Sequence, residues 1–201
     1  MRENEIQPKR KRKFKVTTDS KHDLPIAPNI VDRDFDSQEA DEVWVSDITY
    51  VETAQGWLYL CVFIDLYSRM VVGWSMSNDL ATEFVVAALE MGIGKRGRAP
   101  IVVHSDRGVQ YASSLFRGVL DKYDCIQSMS RKGNCWDNAV AESFFGTIKQ
   151  ELIYRTTFRT RIEATTAIFD YLEIFYNKRR LHSTLNYLTP EEKGEKEKKV
   201  A

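Results

Sequence analysis

The chain is poor in the residues that build zinc sites and disulfide frameworks. Its 201 residues include three histidines and three cysteines. His22, His104 and His182 stand far apart, and Cys61, Cys125 and Cys135 show no CxxC spacing. That excludes the common His/Cys zinc patterns and a disulfide scaffold. Cys61 lies within an apolar stretch and reads as core packing. No apolar run approaches the roughly 18 residues needed to cross a bilayer, and the basic N-terminus is followed by no apolar segment of the secretory kind. A cytoplasmic, reduced protein without a membrane is the simplest inference. No Ser or Tyr stands beside an evident base, so a covalent nucleophile has no support.

Net charge is missing as well, at zero overall, but the charge is segregated. Residues 1–22 hold eight basic and three acidic side chains, a net of +5. Residues 23–74 hold two basic and ten acidic, a net of −8, and residues 131–190 hold nine and six, a net of +3. Basic flanks around an acidic middle suit an enzyme whose acids collect metal while its flanks hold nucleic-acid phosphate. With 43 % hydrophobic residues the chain can bury one good-sized core.

Taken in order, residues 1–38 read as a basic arm, Lys9 to Lys15, and an extended linker containing Pro25 and Pro28. Apolar strands are expected at 43–51, 57–66 and 69–76, the short connections making an antiparallel meander. A helix over 81–92 follows, then a Gly94–Arg98 loop, a strand over 101–106, a helix from a Ser113 or Ser114 cap to Tyr123, and a strand over 125–130. Near-continuous hydrophobicity in the strands implies a sheet covered on both faces. A polar, mobile loop at 131–136 leads into a helix capped by Asp137 or Asn138, with Val140, Phe144, Phe145, Ile148 and Leu152 as its apolar face. A last helix over 161–177 buries Ile168, Tyr171, Leu172 and Phe175, and a basic patch, Lys178-Arg179-Arg180-Leu181-His182, closes a segment ending at 190. Residues 191–201 form a charged tail without a fold signal. The core therefore spans about 39–160.

Three acids stand out. Asp47 sits in the middle of an apolar strand, Asp106 ends another, and Glu142 shares the edge of its helix face with Lys149, two turns on. A carboxylate in an apolar strand is costly unless paired or bound to metal. Asp65, near the end of the second strand, reads instead as a turn-forming partner for Ser68 or Arg69. Between Asp106 and Glu142 lie 35 residues. This pattern of Asp, Asp, a 35-residue gap, Glu, with Lys149 seven residues further, resembles the catalytic core of retroviral-type integrases and bacterial insertion-sequence transposases. The phrases Trp44-Val-Ser-Asp-Ile-Thr-Tyr50, His104-Ser-Asp-Arg-Gly-Val-Gln-Tyr111, Gly133-Asn-Cys-Trp-Asp-Asn138 and Tyr176-Asn-Lys-Arg-Arg-Leu-His182 are together similar to the second-reading-frame transposases of the insertion-sequence type-three family.

The resemblance implies an α/β fold of the ribonuclease H type, a mixed five-stranded sheet (three antiparallel strands, then two parallel) with helices on both faces. It would bring Asp47 beside the end of the fourth strand, where ligand sites form in such sheets. It implies metal-dependent DNA cleavage and strand transfer. Asp47, Asp106 and Glu142 would hold two Mg²⁺ ions, which Mn²⁺ would replace, with Asp47 bridging. Lys149, Lys178, Arg179, Arg180, His182, Arg131 and Lys132 are the expected DNA contacts. The family carries a helix-turn-helix ahead of this core, for which this chain has no room. A separate end-recognition protein or domain is therefore expected, with a homodimer or higher oligomer assembled on DNA near the nucleoid. Two rivals stand beside this reading: a purely hydrolytic nuclease of the same fold, and a non-catalytic DNA-binding or assembly remnant.

Overall fold

Strands Val43–Thr53 (β1), Gly56–Asp65 (β2) and Val71–Ser77 (β3) form the antiparallel meander in a computed structural model that describes residues 22–198. The Lys9–Lys15 arm lies outside the described residues. Val102–Ser105 (β4) and Ile126–Met129 (β5) add in parallel to β1, and the order across the sheet is β3-β2-β1-β4-β5. Asp47 faces Val62 across the β1–β2 ladder, while Val45 is level with His104 on β4. Two residues further along these parallel strands come Asp47 and Asp106, so the register sets them side by side at one end of the sheet.

Strand alternation explains why the sheet is covered twice. Val45, Val51, Leu58, Leu60, Val62 and Ile64 face the helices Ala139–Glu151 (α4) and Arg161–Asp170 (α5), meeting Phe144, Phe145, Ile148 and Ile168. Trp44, Cys61, Phe63 and Val72 face Thr82–Arg96 (α1), Val109–Ala112 (α2) and Ser114–Lys122 (α3) on the other side. Here α1 rides directly on β3. A Cβ added to Gly73 would stand 2.1 Å from the Ala88 carbonyl oxygen, and one on Gly92 would stand 2.9 Å from the Trp44 ring.

Several expected boundaries move. The first half of the expected Gly94–Arg98 loop is the last turn of α1, which runs to Arg96 and stops at Gly97 in the left-handed region (φ 71°) that glycine adopts freely. The Ser113 cap is present, its side chain accepting from Phe116 N at 3.1 Å. Beyond α5, whose start is a Thr160/Glu163 capping box, residues Tyr171–Tyr176 wind as a π-turn. The wider turn shifts the inward position by one residue, so Tyr176 is buried and the expected Phe175 is 42 % exposed. The segment expected as a tail without fold is a helix, Pro190–Lys198 (α6). Thr189 and Glu192 cap it reciprocally, and Lys193 lies over the Tyr67 ring. The stretch ahead of β1 runs extended along β5, with Met129 N donating to Pro28 O and Ile30 N to Ser128 Oγ. Among the described residues no helix is long and apolar enough to cross a membrane.

Candidate active site

Three elements converge on the end of the sheet where β1 passes β4. Asp47 is carried by β1, and its carboxylate accepts from the amide of Ile48 at 2.7 Å. Asp106 follows β4 directly, and its carboxylate accepts from Gly108 N at 2.8 Å, turning the chain into α2. Glu142 stands in the first turn of α4, where a helix N-terminus favours negative charge. Apolar residues Phe144, Phe145 and Ile148 seat α4 on the sheet and leave Glu142 on the exposed edge of the helix.

The acids feel one another. Burial pushes the Asp47 carboxyl well above the ordinary carboxylate range, and the negative charges of Asp106 and Glu142 push it further. The Ile48 amide and the Lys149 ammonium act in the opposite direction. Partial desolvation raises the Glu142 carboxyl as well. Burial lowers the Lys149 ammonium, and Asp47 partly restores it; the same ammonium lies 5.5 Å from the centre of the Tyr50 ring. Among the described residues no three His, Cys, Asp or Glu side chains close around a single point. What links the three acids is charge, since Asp106 and Glu142 both act on Asp47.

What holds α4 in place is a network that the sequence reading did not foresee. Of the two expected caps, Asp137 and Asn138, it is Asn138 that takes the N-cap position of α4, without the side-chain cap bond expected of it. The Asp137 carboxylate is fully enclosed and accepts from Arg131 N, Nε and Nη2, Arg33 Nε and Asn29 Nδ2, all within 2.8–3.1 Å. Arg131 above all holds that carboxyl far below its ordinary value. The Asp137 carbonyl bonds His104 Nε2 at 2.9 Å, and His104 Nδ1 meets Ser128 Oγ at 2.8 Å. Burial lowers the His104 pKa, so the ring is neutral near pH 7. Asn138 Nδ2 donates to Ser46 O at 3.2 Å. The turn before α4 is thereby stitched to β4 two residues before Asp106 and to β1 one residue before Asp47. An apolar strand ending His-Ser-Asp, and an Asp-Asn pair opening a helix, were the signals available for it.

Lys149 acts on Asp47 through its charge, and most of the other expected DNA contacts have partners of their own. Arg131 is exposed, but its guanidinium is spent on Asp137 and Asp32, whereas Lys132 projects freely into solvent. Arg180 is forked onto Glu151, which also accepts from Tyr171 OH at 2.6 Å. Lys178 lies 3.6 Å from Glu191, and Arg179 is exposed. His182 packs edge-on against Tyr176, and burial drives its pKa down to about 4, so it is not a cation near neutral pH. Asp65 behaves as expected: fully buried, it accepts from the Ser68 amide and hydroxyl, and also from the Asp41 amide.

The chain is similar to known proteins in sequence and in fold. Residues 37–135 match one integrase core domain family and residues 123–190 match a second with the same description. Over 166 residues the chain is 44 % identical to the transposase for insertion sequence element IS904 of Lactococcus lactis subsp. lactis, covering 82 % of this chain and 66 % of that protein. Over 193 residues it is 40 % identical to transposase InsF for insertion sequence IS3A of Escherichia coli, covering 96 % and 67 %. The chain thus spans about two thirds of the length of these relatives. In fold it matches the catalytic core domain of HTLV-2 integrase, solved in complex with magnesium, at a TM-score of 0.60 and 18 % identity, covering 78 % of this chain and 97 % of that one. A simian T-cell lymphotropic virus intasome chain matches at a TM-score of 0.66 and 16 % identity, covering 88 % and 60 %. At 40 % identity to a transposase of which it covers 67 %, and with integrase core domain matches over residues 37–135 and 123–190, the chain belongs to the integrase-core family of insertion-sequence transposases.

Proposed function

We propose that this chain cuts DNA strands and joins their 3′ ends to new DNA, with Asp47, Asp106 and Glu142 holding two divalent ions at the end of β1 and β4. The observation that carries the reading is the shared electrostatics of the three acids, with Asp47 driven upward by burial and by its two neighbours. Residues and cofactor fit. The donors are hard oxygens, which suit Mg²⁺ or Mn²⁺, and the side-chain oxygen of Asn138 is buried without a hydrogen-bond partner among the described residues. Two such ions, when bound, neutralise charge on the attacking and leaving oxygens and lower the pKa of the attacking hydroxyl.

Each residue then has a task. Asp47, which feels both other acids, would be the ligand shared by the two ions, and Asp106 and Glu142 would each serve one of them. Lys149 offers its ammonium to a phosphate of the strand being cut, from a position already inside the field of Asp47. Lys132, Lys178 and Arg179 are exposed and grip the DNA backbone, which positions the duplex without reading its sequence. Arg131, Arg180 and His182 support folded structure before they serve DNA. The enzyme works at bacterial DNA in the cytoplasm, as a dimer or larger assembly. All three acids being in place leaves the non-catalytic alternative without an observation in its favour.

The test is incubation with a labelled duplex end and Mg²⁺, scored for cut and joined products. Asp47→Asn, Asp106→Asn and Glu142→Gln should each abolish both products, and the double variants should be no worse, since ligands of one centre act as a unit. Near-native activity in any single variant removes that residue from the site.

A further inference from the structure

Asn138 is 4 % exposed, and only one side of its amide is used. Its Nδ2 donates to the Ser46 carbonyl, which can only accept. That bond fixes the orientation of the amide and turns Oδ1 away from Ser46, and Oδ1 has no hydrogen-bond partner among the described residues. Buried side-chain acceptors are nearly always paired, so one left over calls for an explanation. Two ordinary explanations for an Asn at this place do not account for the oxygen. It does not cap α4, although it occupies the N-cap position. Its tether to β1 uses the nitrogen alone.

Position suggests what the oxygen serves. Ser46 directly precedes Asp47 on β1. The neighbouring Asp137 carbonyl is bonded to His104, two residues before Asp106. Glu142 follows Asn138 by four residues, one turn further along α4 and on the same helix face. The unpartnered oxygen is therefore carried by a side chain anchored one residue before Asp47 and one helical turn before Glu142.

Building on the two-ion reading above, we propose that Asn138 is a further residue of that site, its Oδ1 accepting a hydrogen bond from a water bound to a divalent ion beside Glu142. Magnesium retains several waters when proteins bind it. A neutral acceptor orients such a water without adding a fourth negative charge to three crowded carboxylates. This gives a reason for Asn at the position rather than Asp.

The test compares Asn138→Leu, similar in size but without an acceptor, with Asn138→Asp, which retains one. Mg²⁺ and Mn²⁺ are titrated against melting temperature in DNA-free protein, together with the Mg²⁺ dependence of cleavage. A role limited to tethering Ser46 would lower the metal-free melting temperature of both variants and leave their metal titrations like the parent's. The proposal expects Asn138→Leu to need about tenfold more metal for the same shift, a typical loss for an outer-shell partner, with cleavage recovering at raised Mg²⁺. Asn138→Asp should bind metal at least as tightly as the parent. If Asn138→Leu does not fold, Asn138→Ala takes its place. A parent titration that Asp47→Asn abolishes and Asn138→Leu leaves unchanged overturns this inference alone. A parent that shows no metal response overturns it together with the two-ion reading.

Discussion

Replacing Asp137 by Asn removes the charge from an enclosed carboxylate that five donors share. Arg33 Nε and Arg131 Nη2 point at Oδ1, while Asn29 Nδ2, Arg131 N and Arg131 Nε point at Oδ2. An amide must turn its own NH₂ toward one of these sets, so at least two bonds are lost whichever way it flips. Hydrogen bonds to a charged group contribute about 1.5–3 kcal/mol each. Both guanidiniums are about half exposed, at 47 % and 48 %, so water recovers part of the loss. A net cost of about 3 kcal/mol follows. For a chain of this size that lowers the melting temperature by roughly 6–12 °C. The pH dependence carries a sign. Because the Asp137 carboxyl is held well below its ordinary value of 3.8, its contribution is present above that pH and is lost as pH falls toward the depressed value. The gap between parent and Asp137→Asn should therefore be full at pH 7 and narrow below about pH 4. Thermal melts of both proteins across that range are the assay. A gap under about 1 °C at pH 7 would refute the reasoning, leaving the Asn138 and His104 bonds to hold the start of α4.

The acid site should show the opposite dependence. In metal-free protein Asp47→Asn should stabilise the fold near neutral pH, because burial and two neighbouring acids raise the Asp47 carboxyl and its ionisation costs stability as pH rises above 3.8. Urea unfolding at pH 4 and pH 8 checks this, and a stabilisation of equal size at both would contradict it. The basic segment after the π-turn should divide in two. Arg179→Ala should lower the slope of log affinity against log salt on duplex DNA by about 0.9 with the fold unaffected, whereas Arg180→Ala should lower the melting temperature through loss of the Glu151 fork.

Much of this molecule can be read from its residues, for reasons that differ between elements. Strand alternation and the four-residue spacing of Val140, Phe144 and Ile148 report burial directly, and these elements lie where expected. The strand order is different, because pairing β1 with β4 is a long-range choice that periodicity does not contain, and it came through the family resemblance. The π-turn escaped for a related reason: a 3.6-residue repeat carried past Tyr171 points to Phe175, while one wider turn brings Tyr176 inward. Helix α6 does carry its signal in the residues, since Thr189-Pro190-Glu191-Glu192 has a capping residue, a proline at the first helical position and a carboxylate at the third. At the site, the acids announced themselves as carboxylates in apolar surroundings. The clamp did not, because Asn29, Arg33, Arg131 and Asp137 come from separate segments and each looks like an ordinary solvated or capping residue until the fold brings them together.

We propose that one metal-dependent acid site lets this chain join DNA as well as cut it. The most direct measurement supplies a pre-cut duplex end with a free 3′-hydroxyl and a labelled target, in Mg²⁺, and follows the joined product. The parent protein should give the joined product, Asp47→Asn, Asp106→Asn and Glu142→Gln should give none, and replacing the 3′-hydroxyl by hydrogen should abolish it. Cleavage of the target without any joined product would contradict it and mark the chain as a hydrolytic nuclease of the same fold.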